Sequence, residues 1–213
     1  MRKSLLVLAL ALLCLGFVAP AAHADLLFTS SVGLNAFTVN LHQGTGSVDV
    51  TVTLIDGATY FAKTGSGNHP GFAFNLDKTI TTGDISSVVD FSTFHIGPTG
   101  TTSPDYGSFG YYFDIPGHGT SAKDTGPASF TVSLTGLQMS DFTTNLKGYY
   151  FVSDIMDANG ATGLSAINTN GVCTGDGCTP PCTTNCTPTP EPASLALLGA
   201  GLLSLGGLIR RRK

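Results

Sequence analysis

Ser47-Val48-Asp49-Val50-Thr51-Val52-Thr53-Leu54 is the stretch that decides the fold. Val48, Val50, Val52 and Leu54 fall on one side of an extended chain, with Asp49, Thr51 and Thr53 on the other. That two-residue period belongs to a strand with one face buried and one face in water. The alternation returns at Phe37, Val39 and Leu41, at Phe72, Phe74 and Leu76, and at Phe130, Val132 and Leu134. Val88 to Phe94, Gly110 to Asp114 and Tyr149 to Asp154 are further β-branched or aromatic runs. Gly, Pro, Asn and Asp clusters separate these segments, as in Gly65 to Gly71 and Gly97 to Gly100. One helical turn is expected at Ser140 to Asn145, with Ser140 as its N-cap. About eight to ten strands joined by turn signals predict an all-β fold, an antiparallel β-sandwich of jelly-roll type. No repeat of solenoid or propeller length is present.

Composition agrees with this class. The chain has 27 Gly, 13 Phe, no Trp and only 11% charged residues, and Glu191 is its one Glu. Helical surfaces favour Glu and Lys, whereas turns favour Asp and Gly. From Asp25 to Val172 there are twelve Asp against four Lys. A stretch so acidic offers no basic patch for phosphates, which argues against a nucleic-acid partner. The remaining basic residues lie at the two ends of the chain, where transport signals carry them.

Residues 1–24 read as a signal peptide. Arg2 and Lys3 lead into an apolar run from Leu5 to Val18, and Ala22-His23-Ala24 supplies the small-residue cleavage site before Asp25. A retained membrane helix is the alternative, although the run is short for a span of about 20 residues. Cys14 follows Leu13 where a lipoprotein site needs a small residue, so Cys14 is expected to leave with the signal.

The other end carries the most specific pattern. Pro190-Glu191-Pro192 precedes an uncharged stretch from Ala193 to Ile209, closed by Arg210-Arg211-Arg212-Lys213. As a helix, 193–209 would cover about 25 Å, enough for a thin bilayer. Pro192 suits the first turn of such a helix, and the basic cluster would stay on the cytoplasmic side. The tail from Pro190 to Lys213 resembles the PEP-CTERM sorting signal of Gram-negative bacteria. No LPxTG box, the mark of a sortase signal, occurs in the chain. The resemblance implies recognition by an exosortase, a membrane peptidase acting near Pro-Glu-Pro, and a link to exopolysaccharide and biofilm matrix. A plain single-pass anchor is the alternative.

Residues 173–189 form a Thr-, Pro- and Cys-rich linker without apolar periodicity. Cys173, Cys178, Cys182 and Cys186 are the cysteines left in a chain cut before Asp25. An even number in an exported protein favours disulfides, in any of three pairings. Zinc is the sharper alternative, but a Pro-rich spacer lacks groups to orient thiolates.

No catalytic constellation stands out. The chain has neither H-E-x-x-H nor G-x-S-x-G, and a glycosidase would need two Asp because the only Glu lies in the sorting box. Asp154, Asp157 and Asn159, ahead of Gly160, are a weak Ca²⁺ candidate, the alternative being a strand that ends in an Asp/Asn turn. No cofactor is expected. The reading is therefore a non-catalytic exported protein of the cell envelope or extracellular matrix, handled by the Sec machinery and an exosortase and held transiently in the inner membrane. The alternative is a carbohydrate-binding module in which Tyr60, Tyr106, Tyr111 or Tyr112 stacks on sugar rings.

Overall fold

Pairing registers, more than any single segment, explain how the strands assemble. The computed structural model describes residues 25–174 except 31, 34–36, 56–59, 64–68, 98–105 and 117–118. The segment 1–24, the linker from 175 onward with Cys178, Cys182 and Cys186, and the tail from Pro190 to Lys213 lie outside the described residues. In chain order the strands are β1 (Asp25–Thr29), β2 (Phe37–Gln43), β3 (Ser47–Leu54), β4 (Tyr60–Lys63), β5 (Phe72–Leu76), β6 (Ile85–Val89) and β7 (Phe94–Ile96). They continue with β8 (Tyr111–Phe113), β9 (Gly119–Asp124), β10 (Ala128–Ser133), β11 (Phe142–Thr143), β12 (Phe151–Met156), β13 (Thr162–Ile167) and β14 (Val172–Thr174). Two short 3-10 turns, Thr82–Asp84 and Met139–Asp141, are the helical elements among the described residues.

The strands form two antiparallel sheets. The first runs β14-β1-β2-β3-β10-β6. The second runs β7-β8-β5-β12-β4-β9, with β11 beside β5 and β13 beside β12. The described residues begin with a meander, β1 to β3, inside the first sheet, and then pass back and forth between the two. The β2–β3 hairpin closes at Gly44, whose N–H donates to Ser47 O at 2.9 Å, and Gly46 takes the left-handed turn conformation at φ 74°.

Alternation places the core between the sheets. Val48, Val50 and Val52 of β3, Phe37, Val39 and Leu41 of β2, and Ala128, Phe130 and Val132 of β10 are buried from one side. Phe72 and Phe74 of β5, Phe113 of β8 and Phe151 of β12 are buried from the other, in the same hydrophobic cluster. Rings meet across the gap: Phe28 and Phe151 at 5.0 Å, Phe74 and Phe130 at 5.3 Å, Phe113 and Phe130 at 4.6 Å between centroids. These separations suit aromatic pairs, which contribute beyond their buried area. With no Trp in the chain, Phe supplies most of the large core volume.

Two local expectations are corrected. Val88 to Phe94 is not one strand. Asp90 adopts φ 59°, a left-handed conformation that ends β6, and the chain crosses to the other sheet to begin β7. Ser87, at φ 52°, accompanies the register shift between β6 and β10. The helical turn falls earlier than Ser140: Met139–Asp141 is a 3-10 turn, and Phe142–Thr143 is already a strand. Asp141 anchors that turn, its Oδ2 accepting the Gln138 N–H at 2.7 Å and pairing with Lys78 Nζ at 2.6 Å. The other 3-10 turn has the same device. Hydrogen bonds from the Thr81 N–H and then its hydroxyl hold the exposed Asp84 carboxyl below its ordinary pKa.

Candidate functional site

The two sheets differ in what covers their outer faces. Over the second sheet lies a satellite apolar layer. Ala73, Val152 and Ala166 point away from the main core, on adjacent strands, and with Phe109 they form a separate buried cluster. Tyr106, Tyr112, Tyr149 and Leu164 pack on them. Tyr106 is fixed there by its hydroxyl, which donates to Leu164 O at 3.2 Å, and by its carbonyl, which accepts from Asn145 Nδ2 at 2.6 Å. Tyr106 and Tyr149 meet edge to face at 5.2 Å.

At the β7 edge of this face, His95 stacks on Tyr112 with ring centroids 4.4 Å apart and planes within 11°. His95 Nε2 lies 3.1 Å from Asp114 Oδ2. Burial, and then the Asp114 carboxylate, push the Tyr112 phenol above its ordinary pKa, so Tyr112 stays protonated through the neutral range. The sugar-platform expectation is corrected for Tyr111. Strand parity turns its ring into the core at 8% exposure, where its hydroxyl donates to Lys78 O and accepts the Ile80 N–H. Tyr60, Tyr106 and Tyr112 are half-buried, and none of the four is a fully exposed ring.

The Ca²⁺ candidate residues have local roles. Asp154 is fully buried on β12, with Oδ2 3.5 Å from His69 Nδ1. Asp157 opens the β12–β13 turn: its N–H donates to Ala161 O, and Gly160 N–H donates to its carbonyl. Asp157 Oδ1 accepts the N–H groups of both Asn159 and Ala161 at 2.8 Å. With Gly160 at φ 82°, this is a short hairpin loop whose last residue requires a left-handed backbone. The geometry thus supplies the Asp/Asn turn. Among the described residues no group of three or more His, Cys, Asp or Glu is placed to hold a metal ion.

Among the described residues the outer face of the first sheet has no comparable roof, and registers arrange it in rows. Asp25 faces His42, His42 faces Asp49, and Asp49 faces Thr131. One row along, Asn40 faces Thr51, which faces Ser129. The next pairs Thr38 with Thr53. Cross-strand links order these side chains: His42 Nδ1 is 2.6 Å from Asp25 Oδ1, Asn40 Nδ2 donates to Asp25 Oδ2 at 3.2 Å, and Thr131 Oγ1 donates to Asp49 Oδ1 at 2.6 Å. Asn40 Oδ1 is shut off from water and accepts no hydrogen bond. Sequence reading missed this surface because rows exist only once strands far apart in the chain are registered. Its one advance signal was the Thr51/Thr53 parity in β3.

The first sheet also takes in the start of the Cys-rich segment. β14 pairs with β1, Thr174 opposite Asp25 and Cys173 opposite Leu26, so the strand runs two residues beyond Val172 and takes in Cys173. Among the described residues no helix is long and apolar enough to cross a membrane. Pro190, Glu191, Pro192 and the basic cluster from Arg210 to Lys213 lie outside the described residues, and for them the comparison with known families is informative. Residues 188–213 match the PEP-CTERM protein-sorting motif. The match begins two residues before Pro190 and takes in the whole tail. It supports an exported, envelope-associated protein sorted through an exosortase. No curated protein and no solved structure matches the chain.

Proposed function

We propose that this chain is a non-catalytic surface protein that its tail delivers to the cell envelope, where it associates with extracellular polysaccharide. The observation that carries the reading is the sorting motif over residues 188–213. In this reading the Sec machinery exports the chain and a signal peptidase cuts before Asp25. Residues 193–209 hold it in the inner membrane until an exosortase acts near Glu191. Residues 25–174 form the working domain, for which jelly-roll-like is the description we favour because the chain passes repeatedly between its two sheets. The spacer follows β14 and runs to residue 189, and Cys173, on β14, joins Cys178, Cys182 and Cys186 in two disulfides. Support for the pairing is the even count in an oxidising compartment.

A non-catalytic role is favoured by the local duties of the acidic and imidazole groups. Asp157 is engaged in its turn, Asp141 in its turn and ion pair, and Asp154 lies inside against His69. Association with matrix is tested by extraction. The protein is expected to remain with the insoluble matrix of a biofilm through a salt wash and to be freed when the polysaccharide is digested. Release of the whole population by salt alone would defeat the polysaccharide reading.

A further inference from the structure

The six strands of the first sheet contain no Lys, Arg or Glu; their only charged residues are Asp25 and Asp49, with His42 between them. A solvated sheet face normally carries both signs of charge on long, mobile side chains. Here the central outward positions are short hydroxyl, amide, imidazole and carboxylate groups, and cross-strand bonds already order Asn40, His42, Asp49 and Thr131. We infer that Asn40, His42, Asp49, Thr51, Ser129 and Thr131 form a docking surface for a neutral polysaccharide that runs across the strands. This inference rests on the polysaccharide association proposed above and names the face and the class of sugar.

The argument is one of chemistry and pitch. Neighbouring strands stand about 4.8 Å apart, close to the length of one sugar unit, so a chain laid across them meets a new polar group at each residue. Hydroxyl groups both donate and accept, as sugar hydroxyls do, while the two carboxylates accept only. Holding the side chains in place beforehand reduces the entropy lost on binding, because Thr side chains are stiff and short.

The same features exclude other occupants. A polyanion would meet Asp25 and Asp49 with no Lys or Arg in the strands of the sheet, over a stretch bearing twelve Asp against four Lys. A protein partner would need an aromatic or Arg anchor of the kind that dominates protein interfaces, and these six positions supply none. Among the described residues the roofed face of the second sheet does not present an equivalent open array.

The test uses the full chain, sedimented with an insoluble neutral glucan or with a gelled polyuronate. The native protein is expected to be retained by the glucan and not by the polyuronate. Thr51→Arg with Ser129→Arg should lower retention about tenfold, with an unchanged thermal unfolding midpoint showing that the fold survives. Tyr112→Ala, on the opposite sheet, should bind as the native chain does. If the double variant folds and is retained equally, or Tyr112→Ala abolishes retention, polysaccharide association stands and its placement on this face is wrong. If the native chain is held by the polyuronate alone, the neutral class is wrong. If no polysaccharide holds it, the inference falls, and matrix extraction separately decides the broader reading. Should Thr51→Arg with Ser129→Arg unfold the chain, Thr51→Val with Ser129→Ala takes its place, and unchanged retention in that folded variant overturns the proposal.

Discussion

Phe72→Ala is expected to destabilise the protein by about 3–5 kcal/mol, the range for truncating a buried phenylalanine. Phe72 is fully buried and sits at the centre of the aromatic core. Its ring lies 6.5 Å from Phe37 and 6.1 Å from Phe130 in the facing sheet, and 5.7 Å from both Phe91 and Phe151. Deleting it opens a void that no single neighbour can fill, since Phe37, Phe130 and Phe151 are held by strands of two different sheets and Phe91 by the connection between β6 and β7. Phe72→Leu keeps most of the volume and should lose clearly less. Denaturant unfolding followed by far-ultraviolet circular dichroism gives both values. A loss below about 1 kcal/mol for the alanine variant would mean that the two sheets do not share this core.

Deleting Pro190 to Pro192 is expected to abolish tail processing while leaving membrane insertion intact. The apolar stretch from Ala193 to Ile209 and the basic cluster from Arg210 to Lys213 remain in that variant, and in the proposed reading these set insertion and orientation. Only the proline-flanked Glu191 is lost. Fractionation should then show the unprocessed chain accumulating in the inner membrane and the processed form falling to background. Neutralising Arg210 to Lys213 should instead disturb orientation. Processing that continues unchanged without Pro190 to Pro192 would remove the role assigned to that box.

Much of the fold was legible because burial on one face leaves a period of two. β3 matches the quoted octapeptide end to end, and β2, β5 and β10 follow their alternating hydrophobes. Other strands left little trace. β1 reads Asp-Leu-Leu-Phe-Thr, where adjacent Leu26 and Leu27 hide the period, and β11 and β14 are too short to show one. The break between β6 and β7 depends on a left-handed Asp90, which hydrophobicity does not encode. The tyrosines show the same limit at the candidate site. Tyr111 shares its parity with Phe113 and goes inward, while Tyr112 goes outward, a distinction that was available in the sequence once β8 was assigned. By contrast, His95 meets Asp114 across 19 residues, and Asp25 meets His42 across 17; only register brings such pairs together. The tail was legible for a different reason. Its signal is a linear motif read by transport machinery, and it needs no tertiary structure to be recognised.

The intact mass of the protein recovered from the cell envelope tests the central claim most directly. A chain that begins at Asp25, ends upstream of the apolar stretch, and weighs two hydrogens less for every disulfide formed is the expected result. A 21.9 kDa polypeptide recovered from the cytosol, with Met1 and Lys213 both still in place, would contradict it.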